Sequence, residues 1–230
     1  SEPPEPEHLS VHDEGPRIDP VPPGGVVHVA AVEASGDLLA RFEWAAPVGI
    51  AVFRRGEAIW AVFDADAELD MGEVAQGARG HIVGFQVVDG DGYTAVRMVA
   101  PASSNAEVRA DGATWTLAFS ERIETPAAPI MVRRETAPGA PSGVVLQIDH
   151  PTAIHWIDDP VVGDRIAVAT ALSPIQGLLA PRVFPGGALL ASTQGAAAET
   201  YADDLVVALG ENGVRFARPD AARGQQVATT

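Results

Sequence analysis

Short apolar runs recur from Val26 onward, and clusters of Gly, Asp and Pro separate them. The runs are rich in Val, Ile, Phe, Trp and Thr, a composition and length typical of β-strands joined by turns. The pattern predicts strands at 26–33, 37–44, 48–55, 58–64, 81–88, 93–100, 106–110, 113–119, 129–135, 143–149, 153–157, 165–171, 188–192, 204–209 and 213–217. The best helical candidate is a single short stripe within 65–77. We therefore predict an all-β chain.

Two stretches of the chain repeat loosely. Residues 38–64 and 144–170 both run as a strand, a corner bearing Pro, a second strand, a Gly followed by an acid, and a third strand. The irregular spacing of such units favours an antiparallel meander of hairpins forming one or two β-sandwiches, with propeller-like packing as the alternative. We predict a disordered tail rich in Pro and Glu at 1–25, a disordered tail at 220–230, and two β-rich halves at 26–125 and 126–219.

The sequence "VFRRGEAIWAVFD" (52–64) contains two adjacent arginines that resemble an anion clamp. Side chains alternate along a strand, so Arg54 and Arg55 must point to opposite faces and cannot grip one small anion together. The strands on either side of Gly56 are apolar on both faces, which predicts a central hairpin buried on two sides. Arg55 is then expected to pair with Glu57 or Asp64.

The densest polar cluster is "DHPTAIHWIDDP" (149–160), which offers His155, Trp156, Asp158 and Asp159. Together with Arg54 and Arg55, these four are the candidate binding residues. A metal or general-base site is chemically possible there. The alternative is a His on the surface of a sheet followed by an Asp-Asp-Pro turn, with Trp156 facing away from His155 and Ile157.

Other stretches give little sign of catalysis. "DGDGY" (89–93) lacks the further ligands of a calcium loop and predicts a tight hairpin turn. Asp203 and Asp204 have no partner motif, and no phosphate, dinucleotide, zinc-protease or nucleophile-elbow signature is present. The chain has no Cys, which excludes disulfides and thiolate metal sites. We predict no catalytic residue, no metal and no cofactor.

Charge and hydropathy narrow the possible partners. The net charge of −16 opposes binding to nucleic acid or to anionic lipid. The chain is 47% hydrophobic, which is typical of a folded protein, but no apolar run approaches the length of a membrane span. "SEPPEPE" at the start resembles the spacer that follows a cleaved signal peptide, so we expect a periplasmic or otherwise exported protein.

Two resemblances point the same way. The hairpin at 38–69 resembles AMIN-type envelope domains, small periplasmic β-sandwiches that target proteins to peptidoglycan or to secretion machinery, and Asp64 stands where their motif has an Asp. Residues 52–71 with 182–219 resemble the β-rich region ahead of tetratricopeptide repeats in uncharacterised exported proteins of GC-rich alphaproteobacteria. The latter resemblance implies that the chain is part of a longer protein.

These observations predict a non-enzymatic cell-envelope module that docks a protein partner or cell-wall glycan. One alternative is a β-sandwich hydrolase of glycans or esters, using carboxylates such as Asp158, Asp159, Asp203 and Asp204. Another is a structural segment of a larger envelope assembly.

Overall fold

The computed structural model describes residues 18–77, 80–121, 128–135, 142–210 and 213–219. Its first part contains β1 (Val26–Ala34), β2 (Asp37–Glu43), β3 (Ile50–Arg55), β4 (Ala58–Phe63), β5 (Glu68–Asp70), α1 (Gly72–Gly77), β6 (Gly84–Gly90), β7 (Tyr93–Val99), β8 (Asn105–Asp111) and β9 (Thr114–Ser120). Residues 18–25, at the end of the predicted tail, lie against this part: the N–H of Ala45 donates to the carbonyl of Pro20 over 2.8 Å.

The second part of the chain is also made of strands. They are β10 (Ala128–Pro129), β11 (Met131–Glu135), β12 (Ser142–Gln147), β13 (Pro151–Asp158), β14 (Arg165–Ala171), β15 (Gln176–Gly177), β16 (Arg182–Phe184), β17 (Gly187–Leu189), β18 (Ser192–Gln194), β19 (Ala196–Thr200), β20 (Val206–Gly210) and β21 (Gly213–Arg218). The predicted boundary between the halves, at 125 and 126, lies outside the described residues. The predicted all-β fold is confirmed.

The strands are arranged in two outer sheets and one central sheet. The first outer sheet has the order β5-β1-β2-β9-β8, and the second has the order β11-β12-β21-β20. The central sheet runs β16-β17-β19-β14-β3-β4-β7-β6, with β13 alongside β14 and β18 alongside β3. All pairings are antiparallel except two short ones, β1 with β5 and β10 with β15.

The central sheet folds back on itself, because its two halves are joined only weakly. β14 meets β3 through the single pair Ala171 and Ile50. One face of the β3–β4 hairpin packs against the first outer sheet, and its other face, with Phe53 and Trp60, packs against Ile157 and neighbouring residues of the other half. The hairpin is therefore buried on both sides, as its sequence predicts. Burying a side chain such as Phe53 contributes about 1.5–3 kcal/mol.

The result is a pair of sandwiches that share the folded central sheet. In the first sandwich the core lies between the first outer sheet and β3, β4, β6 and β7. In the second it lies between the second outer sheet and β14, β17 and β19. The predicted sandwich architecture is confirmed, and the hairpins do not form the blades of the propeller-like alternative.

The two sandwiches follow one strand plan. β1–β2 corresponds to β11–β12 and β8–β9 to β20–β21, because β2 pairs β9 just as β12 pairs β21. On the central sheet, β3–β4 corresponds to β13–β14, and β4 pairs β7 as β14 pairs β19. Even the short parallel pair recurs. The loose repeat between 38–64 and 144–170 is thus a structural repeat: one outer strand followed by one central hairpin.

Several elements differ from the sequence-based prediction. The helical stripe at 65–77 is divided into β5 and the six-residue α1. β15, β16 and β19 were not predicted, and β19 is a central strand whose run of alanines has low β-propensity. Its alanines fit because they are buried between two cores. Among the described residues, no helix has the length and apolar character needed to cross a membrane.

Candidate functional site

Arg55 lies at the end of β3 and holds three acidic side chains. Its guanidinium donates to Asp159 over 2.6 Å, to Asp164 over 2.5 Å and to Glu199 over 3.0 Å. Both Arg55 and Asp159 are buried. Asp159 and Asp164 belong to the β13–β14 turn and Glu199 to β19. We call these four residues the Arg55 cluster; it ties the hairpin of the first sandwich to strands of the second.

Electrostatics favour the charged form of every group in this cluster whose pKa is shifted. Burial alone would raise the pKa of Asp159, but the N–H groups of Val161 and Val162 and the Arg55 guanidinium hold that pKa below its ordinary value. Burial opposes the charge on Arg55 in the same way, but the hydrogen bonds that it donates to its three carboxylates raise its pKa. The buried pair of this cluster, Arg55 and Asp159, is therefore stabilised in its charged form.

The two adjacent arginines do point to opposite faces, as predicted. Arg54 donates to the backbone carbonyls of Pro101 and Ser104, on the side of the first outer sheet. The expected partners of Arg55 were wrong: neither Glu57 nor Asp64 reaches it. The actual partners are more than a hundred residues further along the chain. They come close to Arg55 because the central sheet folds back on itself.

The predicted cluster at 149–160 is divided between different surroundings. The Nε2 of His155 lies 2.9 Å from a carboxylate oxygen of Asp64, and its ring contacts Tyr93 at 5.3 Å between centroids. Trp156 faces the other way, as predicted, and lies under the guanidinium of Arg165 at 5.0 Å. His150 sits in a left-handed turn and lines a different cavity, so the two histidines do not converge.

The carboxylates considered for hydrolysis are also separated. Asp159 is held by Arg55, whereas Asp204 forms a two-pronged pair with Arg218 at 2.8 and 3.0 Å. Asp158 is 88% exposed beside Arg165, and Asp203 is exposed in the turn before β20. Within the residues that the structure describes, no cluster of three or more acids or histidines has the arrangement of a metal site.

A cavity of about 350 Å³ opens on one side of the second sandwich, between the edge strands β11 and β16. Its floor is apolar, and two arginines border it. The lining residues are Val132, Arg134, Val144, Arg182, Val183, Phe184 and Leu189. We call this face of the second sandwich, including the outer edges of β11 and β16, the open side.

The open side combines three kinds of unused interaction. Val183 is 73% exposed and Met131, on the edge strand β11, is 61% exposed. Among the described residues, the side chains of Arg134 and Arg182 form no ion pair and no hydrogen bond, and no strand pairs with the outer edge of β11 at Met131–Glu135. Unpaired strand edges, exposed apolar groups and unpaired cations are the features that recognise an extended acidic chain.

The corresponding side of the first sandwich is closed. There the edge strand β1 is covered by residues 68–77, which comprise β5 and α1 and which we call the plug. The plug buries Leu69, Met71 and Val74 in the first core. In the second sandwich β15 pairs β10 as β5 pairs β1, so the strand of the plug has a counterpart there. Its helix does not, because the connection from β15 to β16 is only residues 178–181, too short to hold an equivalent of α1.

Comparisons with known proteins give no relative: no family model, no curated protein and no solved structure matches the chain. The AMIN-like resemblance and the resemblance to regions ahead of tetratricopeptide repeats stay predictions.

Two further cavities are a shallow one around His150 and Trp115 and an acidic one beside Asp66, Glu68 and Asp89.

Sequence reasoning missed the arginines of the open side. Arg134 lies within the predicted strand 129–135 and was not singled out, and Arg182 falls between predicted strands. A signal was present in the charge pattern: residues 172–198 contain no Asp or Glu, although the chain has 31 of them. In so acidic a protein, an acid-free stretch bearing a lone Arg marks a local change in the sign of the surface potential.

Proposed function

We propose that the protein is a non-enzymatic docking module of the cell envelope, and that it binds a partner protein at the open side. The observation that carries this proposal is the contrast between the two sandwiches: one strand plan, with the same side plugged in the first and open in the second. Because the chain itself covers this side in one sandwich, a partner protein can cover the equivalent side of the other.

The state of the acidic side chains supports binding over turnover. A general acid needs a carboxyl group that is protonated near neutral pH. Asp159 instead has a lowered pKa and a buried Arg partner, and Asp204 is engaged by Arg218. Arginine pairs of this kind fix structure rather than supply protons.

A protein partner is favoured over a glycan by the lining of the open side. Glycan sites commonly present an exposed aromatic ring on which a sugar can stack, whereas the only aromatic residue lining this cavity, Phe184, is buried. The free edge of β11 offers backbone N–H and carbonyl groups to an added strand.

Site-specific cross-linking tests this proposal. Because the chain has no Cys, an introduced Cys is its only thiol and the only position at which the cross-linker attaches to it. We expect Val183→Cys, carrying a benzophenone maleimide and irradiated in cells that produce the protein, to yield a discrete protein adduct identifiable by mass spectrometry. The matched control is Val83→Cys, since Val83 is 79% exposed just before β6, which is the edge strand of the central sheet in the first sandwich as β16 is in the second.

The same adduct from both positions, or no protein adduct from Val183, would contradict docking at the open side. Cell fractionation of the same cultures tests the envelope location. Recovery of the protein in the cytosolic fraction would remove that part of the proposal while leaving the docking part standing.

A further inference from the structure

We infer that the partner of the open side is a short acidic segment with apolar side chains, of the kind that the plug supplies to the first sandwich. This inference rests on the proposed function and adds the chemistry of the ligand. The plug of the first sandwich covers the side that is open in the second, so its contacts show what a ligand of the open side would need.

The plug shows how such a segment is held. Val74 is fully buried, and Leu69 and Met71 lie in the same core. A carboxylate oxygen of Glu73 accepts a hydrogen bond of 3.0 Å from the N–H of Ala31, on the outer edge of β1. His28 completes the contact, with its ring nitrogens 3.3 Å from Glu73 and 3.5 Å from Asp70. The plug thus uses an apolar anchor, a carboxylate on the strand edge, and acids beside a basic side chain.

The open side offers a counterpart for each of these three contacts. The apolar anchor has a floor of Val132, Val144, Phe184 and Leu189. The carboxylate has the outer edge of β11, which corresponds to β1 in the shared strand plan. For the acids that lie beside His28 in the plug, the open side offers Arg134 and Arg182, which are always charged and can hold a carboxylate with two parallel hydrogen bonds.

The surrounding charge also favours an acidic ligand, despite the net charge of −16. From 128 to 148 the only acid is Glu135, which Arg215 neutralises over 2.7 Å, and 172–198 contain none. Charges beyond a Debye length of about 8 Å are largely screened at physiological salt, so the local arginines dominate at contact. An acidic segment is repelled at long range but attracted at the open side.

A peptide copy of the plug is the direct probe. We expect fluorescein-labelled AELDMGEVAQG, the sequence of residues 67–77, to bind the full chain in a fluorescence-anisotropy titration, and more weakly as salt is raised. The matched peptide AQLNMGQVAQG keeps every apolar side chain and replaces each carboxylate by an amide. Its affinity should be lower by about tenfold or more, since a lost charge-assisted contact is worth about that factor.

Protein variants locate the binding. Arg134→Gln with Arg182→Gln should weaken binding of the acidic peptide by about tenfold or more. The control is Arg41→Gln with Arg133→Gln, which removes the same charge from exposed positions outside the cavity lining. Equal binding of the two peptides, an equal loss in both double variants, or no binding of the acidic peptide would overturn the inference.

The test separates this inference from the proposed function. A protein adduct at Val183 together with no preference for the acidic peptide would leave docking intact and refute the acidic ligand. Two other occupants, the chain's own acidic start and a second copy of the chain, give their own results, and either one would refute binding of a different protein at the open side. The chain's own acidic start is implicated if neutralising Glu2, Glu5, Glu7, Asp13 and Glu14 in the full chain strengthens peptide binding about tenfold. A second copy is implicated if the chain dimerises in sedimentation and the peptide dissociates the dimer.

Discussion

The Arg55 cluster and the open side use the same residue type in opposite ways. Arg55 is buried, and three carboxylates occupy its donors. Arg134 and Arg182 are exposed and, within the described residues, have no acidic partner. A guanidinium whose donors are all satisfied within the chain contributes to the fold, and one whose donors are free is available to something else. In an acidic protein, the arginines without acids are therefore the more informative ones about function.

Their positions explain the difference. The Arg55 cluster lies where the central sheet folds back, so both sandwiches surround its buried pair, Arg55 and Asp159, while Asp164 and Glu199 are partly exposed. The open side lies at strand edges, where nothing in the described chain covers the sandwich. Burial makes the loss of an ion-pair partner expensive, whereas at an exposed site the same loss costs little. This contrast can be tested by substitutions.

The largest effect should come from Arg55→Met. Met fills similar space but leaves Asp159 buried without its cation, so we expect the free energy of unfolding to fall by about 3–5 kcal/mol. Urea denaturation followed by Trp fluorescence measures it. Arg54→Met is the adjacent control; it removes only contacts to two backbone carbonyls and should cost less. A loss at Arg55 no larger than at Arg54 would show that the cluster does not join the two sandwiches.

A smaller and pH-dependent effect is expected from Asp159→Asn. At neutral pH the variant should lose about 1–3 kcal/mol, because the amide still accepts from Val161 and Val162 but no longer neutralises Arg55. The folded pKa of Asp159 is lowered, so its contribution is present above the ordinary Asp pKa and is lost as pH falls through the folded value.

The stability of the natural chain and of the Asp159→Asn variant should therefore converge as the solution is acidified below about pH 4, the ordinary range for Asp. Denaturation curves at several pH values give the free energy of unfolding of each protein. Taking the difference between the two proteins cancels the contribution of the other acids, which titrate in both. A difference that stays constant with pH would mean that Asp159 is not an ionised partner of Arg55.

The sequence predicted the strands better than it predicted their neighbours. Alternation was enough to put Arg54 and Arg55 on opposite faces and to bury Trp60, because those consequences depend on one strand alone. The partners of Arg55 depend on how two distant hairpins meet, which no local pattern encodes. Strand β19 was missed for a related reason: its alanines have low β-propensity and are buried in two cores that only the tertiary fold creates.

The candidate site was harder to predict still. The polar cluster at 149–160 attracted attention by its density, yet its members serve different contacts: His155 with Asp64, Trp156 with Arg165, and Asp159 with Arg55. The open side has no dense motif, because it is defined by what is missing: a helix after β15 and acids near Arg182. The repeat between 38–64 and 144–170 pointed in the right direction, since comparing its two copies reveals the missing plug.

The smallest effect on stability should come from Arg134→Gln combined with Arg182→Gln. Both side chains are exposed and have no acidic partner in the described chain, so their replacement is expected to change the free energy of unfolding by no more than about 0.5 kcal/mol. Removing two like charges that face one cavity would even relieve some repulsion. The same urea titration provides the measurement, beside Arg55→Met. A loss approaching that of Arg55→Met would mean that these arginines support the fold through residues outside the described ranges, and the open side would then no longer be free to bind a partner.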